Sequence, residues 1–201
     1  MKESVPELLC MLGRDALPGP FRLEAGQALR LTLLALPGVS VDASLEVQLL
    51  GPGAELDLGG LYLCRSDERV RLSVRVRHEA GGAVSHQLLK GIVDGTARFS
   101  FDGLIYVAPD AQKTEAVQQN HSLLLSDSCQ AETRPQLEIY ADDVICSHGA
   151  TLGHLNADEQ FYMRSRGIPE EEARRLQMIS FLSPVLSRLP EALQEECLAA
   201  L

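Results

Sequence analysis

Residues 135–153, PQLEIYADDVICSHGATLG, are the most informative segment of this chain of 201 residues. An alternating run, two adjacent aspartates, a Cys-x-His pair and two glycines follow one another within it. The alternation over residues 136–144 predicts a strand that buries every second side chain. Because Cys146 and His148 lie two positions apart, an extended backbone places both side chains on the same face of a strand.

The same alternation recurs through the chain upstream of this segment. It is found in residues 29–36, 44–50, 54–63, 70–78 and 97–107. Turn markers such as Gly51-Pro52-Gly53, Gly81-Gly82 and Asp94-Gly95 separate these runs, and no amphipathic helical pattern intervenes. The sequence therefore predicts a mainly β fold, which a sandwich, a barrel or a solenoid would satisfy equally. With no Trp and only 4% aromatic residues, the interior has to be built from aliphatic side chains, and this favours the stacked layers of a solenoid.

After Gly153 the pattern changes to a helical one. Asn156 is positioned as an N-cap with Glu159 three residues later, and Gly167 is positioned to end this first helix. Pro169 opens a second helix that we expect to end at Pro184, and Pro190 opens a third.

These patterns divide the chain into two units. Residues 1–153 are interpreted as the β core, with roughly the first 20 residues as a cap or linker. Residues 154–201 are interpreted as a small helical subdomain. The strands are expected to begin at about residue 29, and Val5 to Leu12 fits either a short helix or a strand-like cap on the first coil.

Composition excludes several classes of function. The net charge of −10 and the pI near 4.9 argue against nucleic-acid binding, which requires clustered Lys and Arg, and fit protein partners instead. No run approaches the roughly 20 apolar residues of a membrane span. Five scattered cysteines without a CxxC pair indicate a reducing compartment, so a cytoplasmic location is expected.

Cys146 and His148 supply at most two ligands for a borderline metal such as iron or zinc. His154 or Cys129 would have to complete the site, and their spacing matches no standard zinc motif. From chemistry alone, a cysteine beside two apolar residues is more often a small buried hydrophobe. A stand-alone metal-binding protein that uses Cys146, His148 and His154 remains one alternative.

Other chemical motifs are weaker. Asp142 and Asp143 are adjacent, so on a strand they point to opposite faces and do not form an acid–base pair; a solvated turn is the better interpretation. Lys113-Thr114 lacks the glycines of a phosphate loop, and no hydrolase nucleophile motif is present. A β-helix enzyme acting on carbohydrate is a second alternative, disfavoured by the scarcity of aromatic residues.

The segment 135–153 resembles the C-terminal signature of the SufB/SufD family of iron–sulfur cluster assembly proteins, and its Ser-His-Gly-Ala-Thr sequence is similar to the SufD branch. Five further blocks resemble family positions and occur in the same order: Ser85–Gly91, Ala111–Ala116, Gln119–Asp127, Phe161–Ile168 and Glu172–Leu176. Together they cover roughly the last two-thirds of the chain.

This resemblance implies a right-handed parallel β-helix followed by a small C-terminal helical subdomain. It also implies a non-catalytic scaffold subunit that pairs with a SufB-like protein near Asp142 and Asp143. His148 and Cys146 would then belong to an inter-subunit site where iron or an iron–sulfur cluster is bound transiently, none being held stably by the lone chain. When the chain is isolated, two copies are expected to be able to pair with each other as a homodimer in the same way.

The resemblance further implies that the helical region binds a SufC-like ATPase, through Phe161, Tyr162, Arg164, Leu176 and Ile179. The chain departs from the family in one respect. The family usually carries a helical region before its β core, whereas strands are expected here from about residue 29, as in a fragment or a short family member.

Overall fold

The computed structural model describes residues 5–17 and 19–201, and it places eleven strands in two parallel sheets. The first sheet contains β1 (Glu7–Met11), β3 (Ala28–Ala35), β5 (Glu55–Cys64), β7 (Val84–Val93), β9 (Glu115–Leu124) and β11 (Ile145–Gly153), hydrogen-bonded in that order. The second sheet contains β2 (Phe21–Leu23), β4 (Val41–Leu49), β6 (Arg69–His78), β8 (Arg98–Val107) and β10 (Gln130–Ile139). Successive strands alternate between the sheets, so the chain winds into a parallel β-solenoid of about 5 turns. The predicted fold class is confirmed.

Alternation of side chains explains why the two sheets pack face to face. In β6, for example, Val70, Leu72, Val74 and Val76 are buried, while the residues between them reach the outer surface. Inward rows of this kind from both sheets merge into one core of Leu, Val, Ala and Phe side chains. Each coil therefore covers the apolar row of its neighbours, as in other solenoids.

The prediction that strands begin at about residue 29 is wrong. β1 pairs in parallel with β3, Glu7 lying opposite Arg30, and β2 pairs in parallel with β4. Both strands are too short to show a clear alternation in the sequence, which is why the pattern did not reveal them. Of the two interpretations of Val5 to Leu12, the strand-like one is confirmed.

Three helices follow the last strand: α1 (Ala157–Ser165), α2 (Glu170–Leu186) and α3 (Glu191–Ala199). The predicted cap of α1 is confirmed, since the Asn156 side chain accepts hydrogen bonds from the backbone N–H groups of Asp158 and Glu159. None of the helices among the described residues combines the length and apolar character needed to cross a bilayer.

The prediction that Pro184 ends the second helix is wrong, because α2 continues to Leu186. Proline cannot donate to the carbonyl four residues before it, here that of Ser180. The Ser183 hydroxyl donates to that carbonyl instead, at 2.9 Å. The Ser180 carbonyl therefore keeps a hydrogen-bond donor. The buried side chains of Val185 and Leu186 hold the last turn of α2 against the sheet.

The helices lie on the outer face of the first sheet. Outward side chains of the strands and inward side chains of α2 form one cluster, which includes Leu34, Leu61 and Ile92 with Leu182 and Val185. The proposed division into residues 1–153 and 154–201 stays a prediction, although sheet and helices share this cluster.

Arg188, just after α2, binds the helical region to β3 and β5 of the first sheet. Its guanidinium donates to Asp57 Oδ1 at 2.7 Å, to the Asp57 carbonyl at 2.9 Å and to Thr32 Oγ1 at 3.2 Å. Gly59 makes room for it, since a Cβ there would lie 2.7 Å from Arg188 Nε. Burial alone would raise the pKa of the Asp57 carboxyl, but hydrogen bonds from Arg30 and Arg188 hold that pKa below its usual value.

Candidate functional site

The last coil, β10 and β11, leaves one end of the solenoid uncovered. Among the described strands, β11 pairs only with β9 and β10 only with β8, so each presents a free edge of backbone N–H and C=O groups. Large apolar side chains are exposed around this end: Ile139, Tyr140, Ile145 and Leu152. Ile145 keeps 71% of its surface accessible, which is unusual for isoleucine in a strand. A free strand edge flanked by exposed apolar side chains is a surface on which a strand of another chain can pair.

Cys146 and His148 both lie on β11 at this uncovered end. Cys146 is in register with Ala116, and His148 is in register with Gln118. Ala116 and Gln118 are buried in the solenoid, so both predicted site residues project from the inner face of their strand. Cys146 is half-buried beside Ala116, whereas His148 is exposed because no further coil covers it.

The environment of Cys146 favours the protonated thiol over the thiolate. Burial raises the pKa of Cys146, and a hydrogen bond with the backbone of Ala116 offsets part of that increase. A thiol of this kind becomes a good ligand only when a cation nearby stabilises the thiolate. The exposed imidazole of His148 is therefore the more accessible of the two groups.

Cys129 and His154 do not join this pair. Cys129 is buried in the turn before β10, where its thiol donates to the carbonyls of Val93 and Ser126. His154 follows β11, and its Nδ1 lies 2.9 Å from the Leu124 carbonyl oxygen. Within residues 5–17 and 19–201, no three His, Cys, Asp or Glu side chains are grouped closely enough to hold a metal ion. The stand-alone metal-binding alternative stays a prediction.

Asp142 and Asp143 lie in the turn between β10 and β11, as predicted from the sequence. Asp143 forms an ion pair with Lys113 of the preceding turn, and its backbone N–H donates to Gln112 Oε1 at 2.9 Å. Asp142 is exposed. The two carboxylates therefore border the uncovered end.

Sequence reasoning missed the polar interior beneath His148. Gln87, Gln118 and His148 occupy one column of register across β7, β9 and β11. Gln118 Nε2 donates to Gln87 Oε1 at 2.9 Å, while Gln87 Nε2 and Gln118 Oε1 have no partner among the described residues. Gly103 on the opposite sheet leaves space for Gln118, because a Cβ there would overlap with its Oε1. The sequence did contain a signal for these buried amides. Gln87 and Gln118 occupy inward positions in the alternation of β7 and β9, where the residues on either side of them point outward.

A second polar group lies in the adjacent columns. The Tyr62 hydroxyl is hydrogen-bonded to Ser122 Oγ at 2.6 Å and to Asn120 Oδ1 at 3.1 Å, and Asn120 Nδ2 donates to Thr133 Oγ1. Tyr62 reaches these partners across Gly91, where any Cβ would overlap with its ring. Several inward positions of β7 and β9 are thus hydrogen-bonding groups, and this side of the interior becomes more polar towards the end that carries His148.

The helical region has a groove of about 750 Å³ beside the last strands. It is lined by side chains of β9, α1 and α2 and of the segment between β11 and α1: Leu123, Leu155, Tyr162, Met163, Leu176 and Phe181 among others. Of the residues predicted to bind an ATPase, Tyr162 and Leu176 line this groove. Phe161 lies beside it in the chain and keeps 74% of its surface accessible.

The other two predicted residues lie differently. Arg164 is exposed and forms an ion pair with Glu170 at 3.4 Å. Ile179 is half-buried and does not line the groove. The five predicted residues thus form one partial surface, around Phe161, Tyr162 and Leu176, with two residues outside it.

Comparison with known proteins finds relatives over most of this chain. Residues 21–181 match the family described as SUF system FeS cluster assembly, SufBD core domain. The chain is 38% identical over 161 residues to the iron-sulfur cluster assembly protein SufD of Escherichia coli, covering 80% of this chain and 37% of that protein. It is 31% identical over 142 residues to SufD of Bacillus subtilis, covering 71% of this chain and 32% of the relative.

A SufBD family protein of Synechocystis is 42% identical over 120 residues, which is 60% of this chain and 26% of that relative. The chain thus spans about a third of the length of the curated relatives it matches. The matched residues contain nearly the whole solenoid together with α1 and most of α2. The chain therefore belongs to the SufB/SufD family, as a SufD-like protein built on the SufBD core domain.

Proposed function

We propose that this chain is a scaffold subunit for iron–sulfur cluster assembly, with no catalysis of its own. Iron and sulfide are its cargo, and the chain contributes His148 and Cys146 to a site that a partner completes. The observation that carries the proposal is their position: both project from the inner face of the last strand at the uncovered end of the solenoid.

A SufB-like protein is the proposed partner at this end. The free edges of β10 and β11 can extend each sheet with strands of a second solenoid, and Ile139, Tyr140, Ile145 and Leu152 would be buried by the pairing. Asp142 and Asp143 at the border would contribute charge to the same interface. In the absence of the partner, a second copy of the chain offers the same edges, which supports a homodimer of the isolated protein.

The incomplete ligand set supports a shared site. A single imidazole and a single thiol leave two positions of a tetrahedral metal ion open, and groups from the partner would occupy them. An imidazole either ligates iron or accepts the proton that hydrogen sulfide loses as it binds. Ligation would stabilise the Cys146 thiolate, whose protonated form is favoured by burial in the free chain.

A SufC-like ATPase is the proposed partner of the helical region. The groove beside α1 and α2 and the exposed ring of Phe161 supply an apolar docking surface, and Arg164 lies next to them in the chain. Because α2 packs directly on β5 and β7, force applied to the helices is transmitted to the sheet that carries β11. An ATP cycle acting there would strain the pairing edge and expose the assembly site.

The first experiment is co-expression with a SufB-like and a SufC-like protein from the same organism. We expect a ternary complex by size exclusion with mass detection. Ile145→Arg should remove the SufB-like protein and retain the ATPase, because a charge at the edge opposes burial. The double variant Tyr162→Ala with Leu176→Ala should lose the ATPase and retain the SufB-like protein. A chain that elutes alone while the other two proteins assemble would contradict the scaffold role.

The second experiment tests the site within that complex. We expect His148→Ala to lower the bound iron and sulfide several-fold while leaving the far-UV spectrum and the complex intact. His86→Ala is the matched control, since His86 is also an exposed strand histidine but lies on the outer face of β7. Equal iron and sulfide contents in the two variants would refute the role given to His148.

A further inference from the structure

The outer face of the second sheet concentrates positive charge in an otherwise acidic protein. The outward positions of β6 are Arg69, Arg71, Ser73, Arg75 and Arg77, and β8 begins with the outward Arg98. The chain as a whole has a net charge of −10. Such a local reversal of charge is a recognition feature for anions when the arginines are not already neutralised.

Some of these arginines are neutralised by neighbouring acids. Arg71 pairs with Asp42 at 3.3 Å, Arg77 pairs with Glu79 at 2.7 Å, and Arg134 of β10 pairs with Glu132 at 2.6 Å. Among the arginines of β6 and β8, Arg69, Arg75 and Arg98 have no ion-pair partner within the part of the chain that the structure describes, and of these only Arg69 and Arg98 lie at the beginning of their strands. Two unmatched positive charges are therefore left on this face near the beginning of the strands.

Arg69 and Arg98 are direct neighbours in the sheet. They are in register across β6 and β8, so their Cα atoms lie about 4.8 Å apart. The next residue in the same row is Gln130 on β10, which is uncharged. Like charges placed directly beside each other across strands destabilise a sheet. An anion between the two guanidinium groups would turn this repulsion into attraction.

A groove of about 830 Å³ lies at this position. Its lining includes these two arginines, the side chains of Ser40, Ser100 and Gln130 and the paired acids Asp42 and Glu132. Its volume lies within the usual range for small-molecule sites. The two acids are already bonded to arginines, so a bound anion would meet the free guanidinium groups and neutral hydrogen-bonding groups.

We propose that this groove binds a doubly charged phosphoryl group, a phosphate monoester or a diphosphate, between Arg69 and Arg98. A planar carboxylate offers its two oxygens to one guanidinium fork, whereas tetrahedral phosphate presents oxygens in several planes and is bound by two stacked forks at once. The site lies on the second sheet, away from the helices on the first, and it does not rest on the scaffold function.

The test is isothermal titration of the full chain with pyrophosphate at low ionic strength. We expect saturable binding at one site, weakened at least tenfold by Arg69→Gln and by Arg98→Gln. Arg75→Gln is the matched control, because it removes the same charge from the same face of β6 at a position outside the groove lining. We expect that variant to bind within about twofold of the parent.

Two further measurements make the proposal sharper. Arg98→Glu should abolish pyrophosphate binding and raise the melting temperature, because it places an acid beside Arg69. Malonate, a dianion that carries carboxylates only, should bind at least tenfold more weakly than pyrophosphate at a slightly acidic pH where pyrophosphate is also mainly a dianion. Absence of saturable binding, equal weakening by Arg75→Gln, or malonate binding as tight as pyrophosphate would each overturn the proposal.

Discussion

In the first sheet, one column of register begins with Leu8, Leu31 and Leu58 and continues as Gln87, Gln118 and His148. The backbone register is the same throughout, but the chemistry of the interior is not. The early coils, β1–β6, bury aliphatic rows that no polar group interrupts along this column. In the late coils, β7 and β9 bury amides and hydroxyls and the column ends on an exposed imidazole, although β8 of the second sheet still buries Phe99, Phe101 and Ile105.

This difference indicates a division of tasks along one solenoid. Aliphatic burial supplies most of the free energy of folding, and it is most complete in the early coils. A buried polar atom without a partner costs free energy, and there are three such atoms among the described residues: Gln87 Nε2 and Gln118 Oε1 on β7 and β9, and His78 Nδ1 at the end of β6. The two glutamine atoms lie directly beneath His148, so part of this cost is located next to the site proposed above.

The largest expected effect is on the early coils. Leu58 is fully buried, so Leu58→Ala should lower the free energy of unfolding by about 2–5 kcal/mol through lost burial and the cavity left behind. Urea unfolding measures this. Leu104→Ala on the outer face of β8, where the side chain is only half-buried, is the control and should cost less than about 1 kcal/mol. If both variants lost the same unfolding free energy, burial in the early interior would contribute no more to stability than packing on the outer face.

The next effect tests the boundary between the two interiors. His78 is fully buried, and its Nε2 lies 2.9 Å from Ser85 Oγ. Ser85 is the first polar inward residue of β7. Burial lowers the pKa of His78 to about 4. The unfolded chain, with a pKa near 6.5, binds a proton between these values and the folded chain does not, so stability should fall as the pH falls from about 6.5 towards 4.

Between pH 7 and pH 5 this linkage amounts to roughly 2 kcal/mol of unfolding free energy. Urea unfolding at pH 5, 6 and 7 should show that loss in the parent chain and a smaller one in His78→Gln. Asp57 and Glu68, whose pKa values are lowered in the folded chain, contribute in the same direction but at lower pH. A pH dependence unchanged in His78→Gln would assign the loss to other groups.

The smallest effect is expected in the late coils. Gln87→Leu combined with Gln118→Leu removes both partners of one hydrogen bond and both unpartnered atoms, so stability should be unchanged or raised by up to about 1 kcal/mol. Thermal and urea unfolding measure this. A loss of 2 kcal/mol or more would mean that the glutamines stabilise the fold, and the contrast between the two interiors would then have no energetic basis.

Much of the fold was predictable because period-two alternation is a local signal. The runs at residues 70–78 and 97–107 became β6 and β8 within a residue or so. The short strands β1 and β2 were not predictable in this way, because their pairing with β3 and β4 depends on distant partners. Pro184 was misjudged for a similar reason: a neighbouring serine and the packing of α2 on the sheet override the local penalty.

The candidate site was predictable in part. Alternation placed Cys146 and His148 on one face, and the helix cap at Asn156 followed from residue spacing. Alternation could not show that Gln118 lies beside His148, because coil-to-coil register is set by the lengths of the intervening turns. The ion pair of Asp143 with Lys113 depends on the same register.

The helices on the first sheet also have a consequence for how the chain is made. Leu61 belongs to the apolar cluster that α2 covers, yet Leu182 follows it by 121 positions in the sequence. At a synthesis rate of 5–20 residues per second, that separation corresponds to roughly 6–24 s on the ribosome. During this interval the emerging solenoid has an uncovered apolar face. The side chains that later hold the helices are therefore the ones most prone to misassembly in the nascent chain.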